Sequence, residues 1–169
     1  MKKIFIVTTI ASSVLMTACN NGGKTTETPQ EKDTTTQPAT TTTTQPSNAS
    51  NTIELTANDQ LKFDKIELHV KANEKVSLTL KNVGTMPKES MGHNFVLLKD
   101  GTDLAAFSKE AISAPDHIPA NDAAIIAHTK LLGPGESDTI EFTVPAGSYT
   151  YICSFPGHYL SMTGVLIAE

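Results

Sequence analysis

Cysteine is scarce in this chain. Only Cys19 and Cys153 occur among 169 residues, so the carboxy-terminal region holds no second thiol with which to close a disulfide. Basic charge is scarce as well. Residues 51–169 carry 15 Asp and Glu against 9 Lys and Arg, a balance of −6, where a nucleic-acid-binding domain would show a basic stripe. The apolar stretch from Ile4 to Met16 is too short, and wrongly flanked, for a membrane-spanning helix. Apolar residues larger than alanine are missing altogether from residues 20–50, which therefore cannot bury enough surface to offset the entropy of ordering. The remaining 119 residues suffice for one modest core.

The amino terminus, by contrast, has the layout of an export signal. Lys2 and Lys3 precede the apolar stretch, and small residues lead into Cys19. A cysteine directly after Thr17-Ala18 resembles the bacterial lipobox, in which the cysteine becomes a lipidated amino terminus, although Met16 stands where leucine is usual. Residues 1–19 are therefore expected to be a lipoprotein signal ending at Cys19. Residues 20–50, with eleven threonines and three prolines, are expected to form a disordered tether. A flexible coil of that length spans about 30 Å root-mean-square, enough for a folded domain to swing over a membrane surface.

Residues 51–169 read mostly as strand. Thr52–Thr56 alternates apolar and polar residues, as does Leu61–Val70 with a break at Asp64-Lys65. Val76–Leu80, His93–Leu98, Ala123–His128, Thr139–Val144, Tyr149–Cys153 and Thr163–Ile167 follow. About eight short strands separated by Gly, Pro, Asn and Asp clusters indicate an all-β sandwich. Leu104–Ile112 has helical apolar spacing and is expected to be a short inserted helix, far in sequence from the candidate site and lying as a flap over the sandwich.

The chemistry concentrates near the carboxy terminus, in the run Cys153-Ser154-Phe155-Pro156-Gly157-His158-Tyr159-Leu160-Ser161-Met162. Cys153 ends a predicted strand, Pro156-Gly157 makes a turn, and Met162 precedes the next strand. One loop thus presents a thiolate, an imidazole and a thioether inward. A second imidazole, His93, comes from Ser90-Met91-Gly92-His93-Asn94 at the start of another predicted strand. Taken singly these residues have bland readings: His93 as a structural histidine, Met162 as core filler, Cys153 as an inert buried thiol. Taken together, two histidines and one cysteine with a weak axial methionine form the ligand set of a type 1 (blue) copper centre. Soft sulfur ligands favour Cu(I) while imidazole accepts Cu(II), so the set compromises between the two oxidation states. A thioether is a poor ligand for zinc.

At these residues the domain resembles the azurins, bacterial members of the cupredoxin or blue copper family. The Cys-x4-His-x3-Met spacing around Phe155-Pro156-Gly157 is similar to theirs, as are Met91-Gly92-His93-Asn94, Ile126-Ala127-His128-Thr129-Lys130-Leu131 with Gly133 and Gly135-Glu136, and Asn58-Asp59-Gln60. The resemblance covers essentially all of residues 51–169. It implies a Greek-key β-sandwich, a single copper held by His93, Cys153, His158 and Met162, and a distant fifth ligand in the backbone carbonyl of Gly92. It further implies that Asn94 stabilises the ligand loops and that the backbone amides of Asn94 and Phe155 bond the thiolate. The family's amino-terminal disulfide has no counterpart here, its buried tryptophan is replaced by Phe95 in a chain without tryptophan, and a buried titrating histidine of some azurins falls at Asn82.

The resemblance also implies a role: a non-enzymatic protein that shuttles single electrons, entering and leaving through His158. Leu61, Met86, Met91, Phe155 and Leu160 fall where an apolar docking patch would surround that histidine. Expected partners are redox proteins such as c-type cytochromes or a terminal reductase or oxidase, docking weakly on a monomeric domain. The expected location is the bacterial cell envelope, with lipid on Cys19 in the inner or outer membrane and the domain in the periplasm or at the cell surface. The alternative of copper storage or delivery is weakened because residues 20–50 contain neither Met nor His, and an oxidase or nitrite reductase would need a further histidine cluster that this chain lacks. His69 and His117 show no constellation and are expected at the surface, and His128 is expected exposed and without a role.

Overall fold

The period-two alternation that marks the strands also decides which face each one buries. A computed structural model describes residues 49–120 and 123–169; the export signal, Cys19 and all but the last two residues of the expected tether lie outside the described residues. Among the described residues, nine strands form two sheets. The first contains β1 (Thr52–Asn58), β2 (Lys62–Phe63), β4 (Val76–Asn82) and β7 (Ser137–Phe142), in the order β2-β1-β4-β7. The second contains β3 (Glu67–Val70), β5 (Val96–Leu98), β6 (Ile125–His128), β8 (Gly147–Ile152) and β9 (Thr163–Ala168), in the order β3-β9-β8-β5-β6. Every second residue of β1, β4 and β9 points into a shared core in which Leu55, Leu78, Leu80, Leu97, Tyr151 and Leu166 are wholly buried. The fold is the Greek-key β-sandwich expected, with parallel pairing of β1 to β4 and of β3 to β9.

Two differences from the sequence reading position the site. The run Leu61–Val70 is not one strand. It breaks at Asp64-Lys65, and the two pieces join different sheets, β2 beside β1 and β3 beside β9. Asp64 holds the crossing, donating its backbone N–H to the Thr56 carbonyl at 3.0 Å and accepting the Thr56 N–H on its carboxylate at 2.6 Å. The second difference is at His93–Leu98, where only Val96–Leu98 is strand. His93 makes an isolated bridge to Leu132, leaving His93, Asn94 and Phe95 as a shaped loop at the sandwich's end.

The inserted helix is present as α2 (Leu104–Ala111), following a one-turn helix α1 (Lys88–Met91). Asp103 caps α2, accepting the N–H groups of Ala105 and Ala106 at 3.0 and 3.1 Å. Phe107 of α2 packs with Val96, Leu98 and Ile152 on the outer face of the second sheet. That cover explains why all three residues of β5 are buried, Leu97 toward the core and its neighbours toward the helix.

Candidate metal centre

Strand ends and the loops that leave them bring the donors together. Cys153 lies one residue beyond β8 and is tied back to the next strand by its N–H to the Met162 carbonyl at 3.0 Å. Gly157, with φ 82°, allows the turn that starts the 3-10 segment His158–Leu160. Met162 closes the loop, its N–H donating to the His158 carbonyl at 2.8 Å. His93 arrives from the other direction, paired with Leu132 through two backbone hydrogen bonds of 3.1 and 2.7 Å. Gly92 before it is buried between the Lys88 carbonyl and Leu131, where an added Cβ would come within 2.7 and 3.0 Å of them.

The Cys153 Sγ sits 3.5 Å from His158 Nδ1 and 3.9 Å from His93 Nδ1, and the three donor atoms lie within 4.8 Å of one another. All three residues are buried, and Met162 is fully so. Among the described residues this is the one cluster of three or more such ligands. Nδ1 faces the sulfur in both rings. The His93 Nε2 is buried without a hydrogen bond of good geometry, although the Asn58 carbonyl is near enough to favour the charged ring.

Burial sets the protonation of the group. It pushes the Cys153 thiol up to about 11, against an opposing pull from the backbone N–H groups of Asn94 and Phe155, which favour the thiolate. It pulls His158 down to about 4, helped by the nearby His93 and His117, and lowers His93 as well. The imidazoles are thus neutral near pH 7, with lone pairs available, and the dry thiol loses its proton to solvent when a cation takes its place. Two neutral nitrogens, one sulfur and a buried thioether fit a soft, redox-active ion, and no carboxylate is among them.

Asn94 holds the two ligand loops in register. Its side-chain carbonyl accepts the Ser154 N–H at 2.8 Å, and its amide donates to the Ser154 hydroxyl at 2.9 Å and to the Asp116 carbonyl at 3.2 Å. The residues expected around the docking histidine are all described. Leu160 is 78% exposed and Met86 40%, Leu61, Met91 and Phe155 are half-buried, and His158 is 4% exposed.

A family model of copper binding proteins, the plastocyanin/azurin family, matches residues 49–169. The chain belongs to this family. It is 40% identical over 126 residues to an azurin of Bordetella pertussis, covering 70% of this chain and 83% of that one. It is 39% identical over 124 residues to an outer membrane protein H.8 of Neisseria gonorrhoeae, covering 69% of this chain and 66% of that one. Among solved structures, the reduced auracyanin of Roseiflexus castenholzii matches with a TM-score of 0.65 and 42% identity, covering 72% of this chain and 98% of that one. The domain is an azurin-like blue copper protein, and His93, Cys153, His158 and Met162 form its cupredoxin site for one type 1 copper.

Other family positions follow their local chemistry. Phe95 is fully buried and stacks on Tyr151 with ring centroids 5.1 Å apart. Asn82 is buried, donating to the Leu132 carbonyl at 3.1 Å and accepting the Gly84 N–H at 2.8 Å, so its place in the core is satisfied without a titrating group. His128 is exposed. Of the other two histidines, His69 stays at the surface as expected, while His117 departs from the sequence reading. His69 lies between Glu67 and Glu169, at 2.9 and 3.2 Å. His117 is half-buried with its ring against Phe155. No ligand spacing in the sequence marks either of them.

Proposed function

We propose that this protein is a one-electron carrier of the bacterial envelope, tethered to a membrane through lipid on Cys19. The observation that carries the redox reading is the buried triangle of Cys153 and two neutral imidazoles, closed by Met162. A copper ion held there would supply a one-electron couple, since the sulfur ligands suit Cu(I) and the imidazoles Cu(II). His93, Cys153 and His158 would hold the ion, with Met162 as a weaker ligand and the Gly92 carbonyl as a more distant fifth. The backbone amides of Asn94 and Phe155 offset charge on the sulfur, and Asn94 keeps both loops in place through the change of oxidation state. The surrounding apolar shell excludes water from the ligands.

Electrons enter and leave at His158, beneath Leu61, Met86, Met91, Phe155 and Leu160, and the protein performs no chemistry on a substrate. Its partners are redox proteins such as c-type cytochromes or a terminal reductase or oxidase, met through a small, short-lived interface. Support for an envelope location comes from the export-type amino terminus, the lipobox-like Cys19 and the similarity to an outer membrane protein of Neisseria. Adding Cu(II) to the purified metal-free protein should produce an intense blue absorption band, and Cys153→Ser should abolish it. A colourless wild-type complex would overturn the type 1 reading.

A further inference from the structure

The segment between α2 and β6 is tied into the metal centre. Asp116 and His117 are consecutive non-glycine residues with left-handed backbone, φ 50° and 58°. Asp and His adopt that conformation more readily than most side chains, and two in succession are held there by their surroundings. Here the ligand loops do so. The Asp116 carbonyl accepts from the Asn94 amide at 3.2 Å, and the His117 carbonyl accepts from the Ser154 hydroxyl at 2.7 Å. Asn94 directly follows His93, and Ser154 directly follows Cys153.

The His117 side chain makes two further contacts. Its Nδ1 donates to the Ala111 carbonyl at 3.1 Å, at the end of α2, a carbonyl that also accepts the Ala114 N–H at 3.2 Å. Its ring stands edge-on to Phe155, with centroids 4.9 Å apart and planes at 76°. Phe155 in turn lies 4.6 Å from the His158 ring. Phe155 is half-buried, and the next two residues, Pro156 and Gly157, are exposed. Among the described residues, His117 and His158 are the two rings that Phe155 touches. A ring anchored to a helix on one side and pressed against Phe155 on the other restricts the positions Phe155 can take.

We propose that His117 is a positioning residue of the copper site, bracing Phe155 and through it fixing the orientation of the His158 imidazole. The inserted helix α2 is then the fixed support of that brace. This deepens the copper reading above and rests on it for its purpose, while the brace itself is measurable without metal.

Two substitutions separate the brace from a plain helix cap. His117→Asn keeps a donor in the Nδ1 position and a residue at ease with left-handed backbone, but removes the ring. His117→Phe keeps a ring and removes the donor. In the metal-free full chain, His117→Asn should speed Phe155 ring flips by about two- to tenfold, the range that loss of one aromatic contact produces, and broaden the His158 ring proton resonances. With copper bound it should widen the spread of Cu(II) hyperfine couplings in electron paramagnetic resonance. His117→Phe should match wild type in all three while melting at a lower temperature. The reverse pattern, with the phenylalanine variant perturbed and the asparagine variant unchanged, would make His117 a helix cap and overturn the proposal.

A Phe155→Leu background supplies a second arm, which also decides the matter should His117→Phe fail to fold. There, His117→Asn should alter the His158 resonances no further, and full additivity of the two changes would sink the route through Phe155. Faster ring flips in a protein that never turns blue would support the brace and overturn the copper reading alone.

Discussion

Cys153 carries the one proton that copper must displace. Burial keeps its thiol up to about 11 while both imidazoles are shifted downward, His158 to about 4. From neutral pH upward the imidazoles are already free, so each copper bound releases one thiol proton. Affinity, corrected for the buffer and competing chelator, should therefore rise about tenfold per pH unit between pH 7 and 9. A flat profile would mean that the thiolate is already formed in the metal-free protein. At this scale much was legible. Cys153, His158 and Met162 lie within ten consecutive residues, and a chain segment that short fixes its own donors' proximity. His117 was not legible. Pro115-Asp116 signals a turn but not that the turn leads His117 to Phe155, and its neighbours in sequence are not ligands.

At the scale of elements, α2 and the pairing of β3 with β9 are the parts whose energetics are most exposed to test. Phe107 is the apolar anchor of α2 on the outer face of the second sheet. Phe107→Ala should cost about 3–5 kcal/mol of unfolding free energy, measured by denaturant titration, with the larger figure if the helix cannot collapse onto the gap. His69 on β3 bridges Glu67 and Glu169, and hydrogen bonds to the two carboxylates raise its pKa above the usual histidine value. A raised folded pKa means stability that is fully present below the unfolded value of about 6.5 and lost as pH climbs through the folded one. The melting temperature of wild type should therefore exceed that of His69→Gln by more at pH 5 than at pH 9. The effect will be small because the group is solvent-exposed. An equal difference at both pH values would mean that the bridge is not charge-assisted. The helix and most strands were readable from periodicity, since Leu104–Ala111 and the alternating runs bury one face each. The division of Leu61–Val70 between sheets was not. Alternation reports which side chains face inward but not which neighbour supplies the hydrogen bonds. Glu169 joins His69 only through the parallel register of β3 and β9, which is likewise absent from local pattern.

At the scale of the whole molecule, Leu61 and Met91 test the proposed docking face without touching the ligands. Replacing either with glutamate should slow electron exchange with a redox partner in stopped-flow measurements, while the blue band keeps its position and intensity. Unchanged rates would move the docking face elsewhere. A second property of the molecule follows from the direction of β1. Its seven residues begin at Thr52, just after the chain enters the domain, and end at Asn58, whose carbonyl faces His93. At about 3.3 Å per residue, the strand carries the chain about 20 Å from its point of entry toward the copper end. The point where the described chain enters the domain and the copper ligand His93 therefore lie at opposite ends of β1. Under the proposed attachment through Cys19, the described chain enters the domain at the end of β1 away from the face that its partners read.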